Sequence, residues 1–351
     1  MERFSSEICH EDLLRDRKPQ LAFDESVPYE PWSKAVKEKL AELLGDMPER
    51  VPLNVQIEWE KEHDTFIEKR LSFDAEANTS VPCHLWIPKS AKKPCPVIIC
   101  LQGHSTGMHI SMGRKVHPAD FNLGDGDRDF AVQAVAEGYA ALVLEQRGFG
   151  ERYSEKSLVS EDAPELREAL LKLRTGCHYP AMTALLNGRT MIGERVWDVS
   201  RAIDMIEQMP ELDADRIACL GNSGGGTATY YAACMEERIK IAVPSCAVCT
   251  FIESIGIIRH CVCNYIPGIA KYFDMGELAA CIAPRKLIMV SGEQDNGFFI
   301  KGARDAYDVI EKVYDKAGCP DNCKLIVGPL GHRFYADLTW PVFAEMSGWK
   351  E

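Results

Sequence analysis

The apolar positions of this chain change their period along its length. In the first forty-odd residues they are sparse, and only 32–44 carries helical spacing, ended by Gly45. The rest of that stretch reads as irregular. From 55 to 87 the residues alternate in polarity or are rich in β-formers, which predicts strands at 55–59, 66–73 and 81–87, the last closed by Pro88. From about residue 95, short continuous apolar runs alternate with amphipathic stretches. Strands buried on both faces and separated by helices give that pattern, so a mostly parallel sheet is predicted. Its strands fall at 97–101, 140–145, 217–220, 240–243, 286–290 and 324–327. Helices are predicted at 127–137 and about 193–208, where Val196, Val199, Ile203 and Ile206 share one face.

Between Tyr153 and Arg189 the alternation stops. A polar loop, a short helix at 163–173 and a Cys177-His178-Tyr179-Pro180 turn are read there. The pattern fits a lid or pocket wall, and equally a surface excursion without function. The expected organisation is therefore an N-terminal helical and β-rich extension, 1–94, packed on an α/β domain, 95–351, with an insertion at about 153–189.

Chemistry concentrates where the strand at 217–220 meets the helix expected at 227–235. The junction reads Gly221-Asn222-Ser223-Gly224-Gly225-Gly226. A G-x-S-x-G turn between strand and helix holds its serine on a sharp, strained bend with the hydroxyl clear of the sheet, and side chains at the flanking glycines would collide with neighbouring backbone. The helix N-terminus adds positive potential and free N–H groups for a developing oxyanion. A phosphate-binding loop is the competing reading, but no Gly-Lys-Ser/Thr closes this one.

A serine hydroxyl needs a base, and the base needs a carboxylate. With the serine on such an elbow the chain order is Ser, acid, His. Two histidines follow Ser223, His260 and His332. His332 lies in a loop after the last predicted strand and fits the order; His260 precedes any acid-bearing strand. The acid should follow the strand at 286–290, where Asp295 is expected and Glu293 is the alternative. One oxyanion donor is expected from the backbone N–H of Gly224, the other from that of His104 in Gln102-Gly103-His104. The His104 side chain is then a competing base facing the same pocket.

Composition narrows the partners. A formal net charge of −13 over 351 residues, with no basic run to offset it, argues against nucleic acid and anionic membrane surfaces. No apolar run is long enough to span a bilayer, and the first residues lack the apolar region of a signal peptide, so a cytoplasmic location is expected. The 14 cysteines then read as buried thiols rather than disulfides. Cys246 and Cys249 with His260, Cys261 and Cys263 offer the donors of a zinc site, but Cys261-x-Cys263 is closer than a usual zinc knuckle. No metal and no cofactor are expected. Arg147 is read as a structural residue pairing Glu145 or Glu151 or binding loop carbonyls, with carboxylate or sugar binding as the alternative.

Taken together, Gln102-Gly103-His104, the segment from Glu145 to Gly150, the elbow, Asp295 and Gly331-His332 resemble bacterial α/β-hydrolases near the acetyl xylan esterases and cephalosporin C deacetylases, and the wider dienelactone-hydrolase-like group. The resemblance spans about residues 80–340. It departs at Arg147-Gly148-Phe149, where the acetyl xylan esterases carry Arg-Gly-Gln, and at the elbow, where they carry Gly-x-Ser-Gln-Gly. Dienelactone hydrolases use a cysteine where this chain has Ser223. The resemblance implies an α/β-hydrolase fold and a Ser223–Asp295–His332 triad with His104 and Gly224 at the oxyanion hole. A small-molecule ester is the implied substrate, an acetyl ester with a carbohydrate ester as one option, and self-association into a homo-oligomer is left open. A prolyl-oligopeptidase-like peptidase or amidase, and an inactive binding protein on the same fold, are the alternatives; some 95 N-terminal residues are too few for the β-propeller that such peptidases carry.

Overall fold

A computed structural model describes residues 6–123, 125–153 and 176–349. Nine strands form one sheet: β1 Gln56–Glu62, β2 Phe66–Glu76, β3 Thr79–Pro88, β4 Cys95–Leu101, β5 Ala140–Leu144, β6 Leu212–Asn222, β7 Ile239–Ser245, β8 Lys286–Gly292 and β9 Cys323–Gly328. Their order is β1-β2-β3-β5-β4-β6-β7-β8-β9. From β5 to β9 every neighbouring pair is parallel; β1, β2 and β3 pair antiparallel and join through β3 to β5. All nine predicted strands are present, and the sheet runs unbroken past residue 94.

The helices described are α1 Ser6–Asp16, α2 Tyr29–Leu44, α3 Asp120–Leu123, α4 Phe130–Ala136, α5 His178–Leu186, α6 Met191–Ile206, α7 Gly224–Met235, α8 Ile300–Lys316 and α9 Ala336–Ser347. Of these, α1 occupies a stretch read as irregular, and α5 occupies part of the expected insertion. The helix expected at 163–173 lies outside the described residues.

Every residue of β4 and of β5 is buried, as their unbroken apolar sequences require. Successive residues face opposite sides and feed two cores. Val97, Ile99 and Leu101 of β4 pack into one, with residues of α2, α6, α7 and α8. Ile98 and Cys100 pack into the other, against α4 and α9. β8 divides likewise, Leu287 and Met289 from Ile288 and Val290. In α8 the buried residues Gly302, Ala303, Ala306, Ile310, Val313 and Tyr314 recur at helical spacing, so one stripe faces the sheet. With β4 through β9 parallel, six strand ends open on the same edge, where a doubly covered sheet gathers its functional loops.

Candidate active site

The loops after β4, β5, β6, β7, β8 and β9 carry, in turn, His104, Arg147, Ser223, Cys246, Asp295 and His332. Ser223 sits between β6 and α7 at φ 56°, ψ −123°. A non-glycine residue with positive φ is strained, and the turn exists only because its surroundings leave no other path. Those surroundings are the backbone at the end of β4 and the His104 ring. A Cβ on Gly225 would strike the Leu101 carbonyl oxygen, and one on Gly224 would lie 2.6 Å from His104 Nδ1. The elbow therefore rests against the end of β4 and the loop behind it.

The register across the sheet brings the remaining groups to the same place. The Ser223 N–H donates to the Ser245 carbonyl (2.8 Å), and the Cys246 N–H to that of Val290 (2.8 Å). The Ser245 hydroxyl and the Cys246 thiol both donate to the Arg333 carbonyl, at 3.4 and 3.2 Å. The residue before Arg333 is His332, whose Nδ1 lies 2.9 Å from Asp295 Oδ2 and 3.1 Å from Oδ1. Asp295 Oδ1 also accepts the N–H groups of Gly297 (2.8 Å) and Phe298 (3.0 Å). Burial pushes this carboxyl up, but the His332 contact and the two N–H donors outweigh it and hold the group below the usual carboxylate value. Asp295 is thus an ionised acceptor that fixes the ring of His332. Glu293, the alternative acid, points away into an exposed pair with Arg304 at 2.7 Å.

His260 does not join this pair. Its Nε2 bonds the Gly297 carbonyl (2.8 Å), and burial lowers its pKa from the usual 6.5, so it is neutral at pH 7. Its ring stands edge-on to Phe298, which stacks on His332.

The loop after β4 is held by Glu145. Gln102 Nε2 donates to Glu145 Oε1 (2.7 Å), Gln146 Nε2 donates to the Gln102 carbonyl (2.6 Å), and the Met108 N–H reaches Glu145 Oε1 at 3.1 Å. Burial pushes the Glu145 carboxyl up to about 7. A Cβ on Gly103 would lie 2.9 Å from the Asn222 carbonyl and 3.1 Å from Ser223 Cβ, so the loop runs directly beside the serine. The His104 side chain in turn lies against Gly224.

Arg147 differs from expectation in its partners. It bonds Asp198 through Nε (3.0 Å) and Nη2 (2.9 Å), pairs Glu194 at 3.3 Å and also binds Glu76. Its expected partners are engaged elsewhere: Glu151 pairs Arg70, and Glu145 accepts from Gln102 in the loop after β4. Glu145 and Glu151, two and four positions away in sequence, line the cavity. The guanidinium extends instead towards α6 and β2, where three carboxylates converge.

The cysteines weighed together also separate. The Cys249 thiol bonds the Glu253 and Phe299 carbonyls, and Cys246 Sγ lies with the side chains of Asp295 and His332. Cys261 and Cys263 instead meet Cys177 and His104. Cys177 comes from the interrupted stretch before α5, and no spacing rule links it to residue 261. The pairing was visible only as two unexplained cysteine-bearing turns.

A cavity of about 1390 Å³ opens beside Ser223. Among the described residues, its walls include His104, Phe149, Arg114, Arg259, His260 and Asn264. It is large enough for a ligand of several rings and carries hydrogen-bond donors on more than one side.

Comparison with known proteins agrees with this architecture. YtaP of Bacillus subtilis (strain 168), named as a hydrolase, is 25% identical over 299 residues, covering 84% of this chain and 92% of its own. A Bacteroides fragilis NCTC 9343 protein named as an acetyl xylan esterase superposes with TM-score 0.72 at 19% identity, over 96% of this chain and 84% of its own. The glucuronoyl esterase of Solibacter usitatus superposes with TM-score 0.68 at 15% identity, over 94% and 97%. At such identities the two structures speak for the fold. The Abhydrolase family model matches residues 2–225, from the N-terminal segment through the elbow, and this chain belongs to that family.

Proposed function

We propose that the protein is a serine carboxylic-ester hydrolase acting through an acyl-enzyme, on a small acyl ester of a carbohydrate. The observation that carries this reading is the contact of His332 Nδ1 with a buried, ionised Asp295 on the same sheet edge as a strained Ser223.

In the mechanism, Asp295 holds the ring so that Nδ1 carries its proton and Nε2 is free to act. His332 Nε2 takes the proton of Ser223 Oγ as the oxygen attacks the ester carbonyl carbon. The carbonyl oxygen becomes an oxyanion, received by the backbone N–H groups of His104 and Gly224. The C–O bond to the alcohol then breaks, and the imidazolium gives its proton to the departing alkoxide. Water repeats the sequence on the acyl-enzyme: His332 takes its proton, hydroxide adds to the acyl carbon, and Ser223 leaves with the proton restored.

The carbohydrate part of the reading is supported by the Arg114, Arg259 and Asn264 side chains set among the apolar cavity walls and by structural neighbours named as acetyl xylan and glucuronoyl esterases. Hydrolysis of acetyl and methyl-uronate ester reporters by wild type and by Ser223→Ala tests it. Turnover by the wild type alone is expected, with acetylated or uronate sugars preferred over peptide amides. Turnover that survives in Ser223→Ala would overturn the mechanism.

A further inference from the structure

We propose that His104, Cys177, Cys261 and Cys263 form a zinc site that braces the oxyanion loop. Their donor atoms, one imidazole nitrogen and three sulfurs, all lie within 4.8 Å of one another. His104 Nε2 is 3.1 Å from Cys263 Sγ. Around a tetrahedral zinc, with Zn–S of about 2.3 Å and Zn–N of about 2.0 Å, donor atoms stand roughly 3.5–3.8 Å apart. The cluster needs only side-chain adjustment to reach that geometry. Cys₃His is a closed structural donor set, and thiolate with imidazole favours zinc over harder cations.

A second observation points the same way. Arg195 is among the largest fully buried side chains of the protein. Its hydrogen bonds among the described residues go to the Arg147 carbonyl (2.8 Å), Cys177 Sγ (3.3 Å) and Cys263 Sγ (3.4 Å), and its Nε is buried without a partner. A buried guanidinium requires a compensating negative charge. Three thiolates and one neutral imidazole around Zn²⁺ carry a net charge of −1, which one guanidinium neutralises. N–H donors to metal-bound sulfur are the expected outer contacts of such a site. The Phe149 ring covers the assembly, 4.6 Å from the Arg195 guanidinium and edge-on to His104 at 5.1 Å.

The four ligands come from three separate segments: the loop after β4, the turn before α5, and the 261–263 turn. One ion would tie all three together. It would fix the His104 ring through Nε2, with Nδ1 on the Gly224 side, and so hold the His104 backbone beside the serine. The metal site stands on its own geometry; that the loop it braces serves an oxyanion rests on the proposed function.

The test is metal analysis of untagged protein purified without chelators, together with the absorption spectrum of cobalt-grown protein. One zinc per chain is expected, with thiolate-to-cobalt charge-transfer bands and tetrahedral d–d intensity in the cobalt form. Metal content should fall at least about tenfold in Cys261→Ser/Cys263→Ser and stay unchanged in Cys319→Ser, whose thiol lies outside the cluster. Should the double variant fail to fold, the wild-type metal count and cobalt spectrum decide alone. Less than about a tenth of an equivalent of zinc, cobalt without thiolate bands, or a disulfide among Cys177, Cys261 and Cys263 would each overturn the proposal.

Discussion

At the scale of single residues, the site turns on two carboxyls with opposite shifts. Asp295 is held ionised by His332 and two N–H groups, whereas Glu145 is driven towards its neutral form by burial. Asp295→Asn should cut kcat by on the order of 10³–10⁴ with the fold intact, because the wrong tautomer of His332 is then held. Glu293→Gln, in an exposed pair with Arg304, should stay within about threefold of wild type; steady-state kinetics on one reporter ester compares them. Glu145 makes a different claim. Its carboxyl titrates near 7 in the folded protein against an ordinary 4.5, so its favourable contribution is full below about pH 4.5 and lost as pH rises through 7. The loss is on the order of 3 kcal/mol. Urea denaturation of wild type and Glu145→Gln at about pH 5 and pH 9 should show the gap between them shift in favour of the variant at high pH. A gap that does not change with pH would contradict the assignment. The sequence favoured Asp295 over Glu293 without deciding between them, and it carried no sign of the Glu145 shift. Asp295 and Glu293 lie two positions apart in one turn, and only the fold of that turn decides which reaches His332. Glu145 looks like an ordinary strand-end acid until the Gln102 and Met108 contacts are seen.

At the scale of elements, the elbow was readable because its constraint is local. The strand, the small residues and the helix follow one another within about twenty positions, so Gly221 to Gly226 announce the turn without reference to the rest of the chain. The central strands were readable for a similar reason: β4 and β5 are buried on both faces and therefore apolar throughout. Helix α1 is sparse in apolar residues and gave no periodic signal, while α5 begins inside a stretch whose Cys-His-Tyr-Pro sequence reads as a turn. The convergence of Cys177 with Cys261 and Cys263 joins segments more than eighty residues apart, and no local pattern encodes it. The elbow's packing yields its own prediction. A methyl group on Gly225 would meet the Leu101 carbonyl at the end of β4 and the Gln102 carbonyl just past it. Gly225→Ala should lower stability by about 1–3 kcal/mol and reduce kcat as the turn shifts; thermal denaturation with parallel kinetics measures both. Wild-type stability in that variant would mean that the end of β4 yields more easily than this packing implies.

At the scale of the whole molecule, the sheet carries the antiparallel strands and the loops of the candidate site as one continuous body, and a buried ion cluster fastens them. Arg147 follows β5, Glu76 ends β2, and Glu194 and Asp198 belong to α6. Removing one partner of such a cluster strands the others in a low-dielectric interior. Arg147→Met should therefore cost about 3–5 kcal/mol in urea denaturation, and a loss under about 1 kcal/mol would deny the cluster that role. No helix among the described residues is long and apolar enough to cross a membrane. The arrangement of the strand ends is what gives Ser223 its proposed role, and covalent labelling reads that role directly. Wild type and Ser223→Ala would be treated with a fluorophosphonate and mapped by peptide mass spectrometry. A single adduct on Ser223, absent from the variant and prevented by Asp295→Asn or slowed by orders of magnitude, is the predicted result. An unlabelled wild type, or an adduct on another residue, would contradict the account.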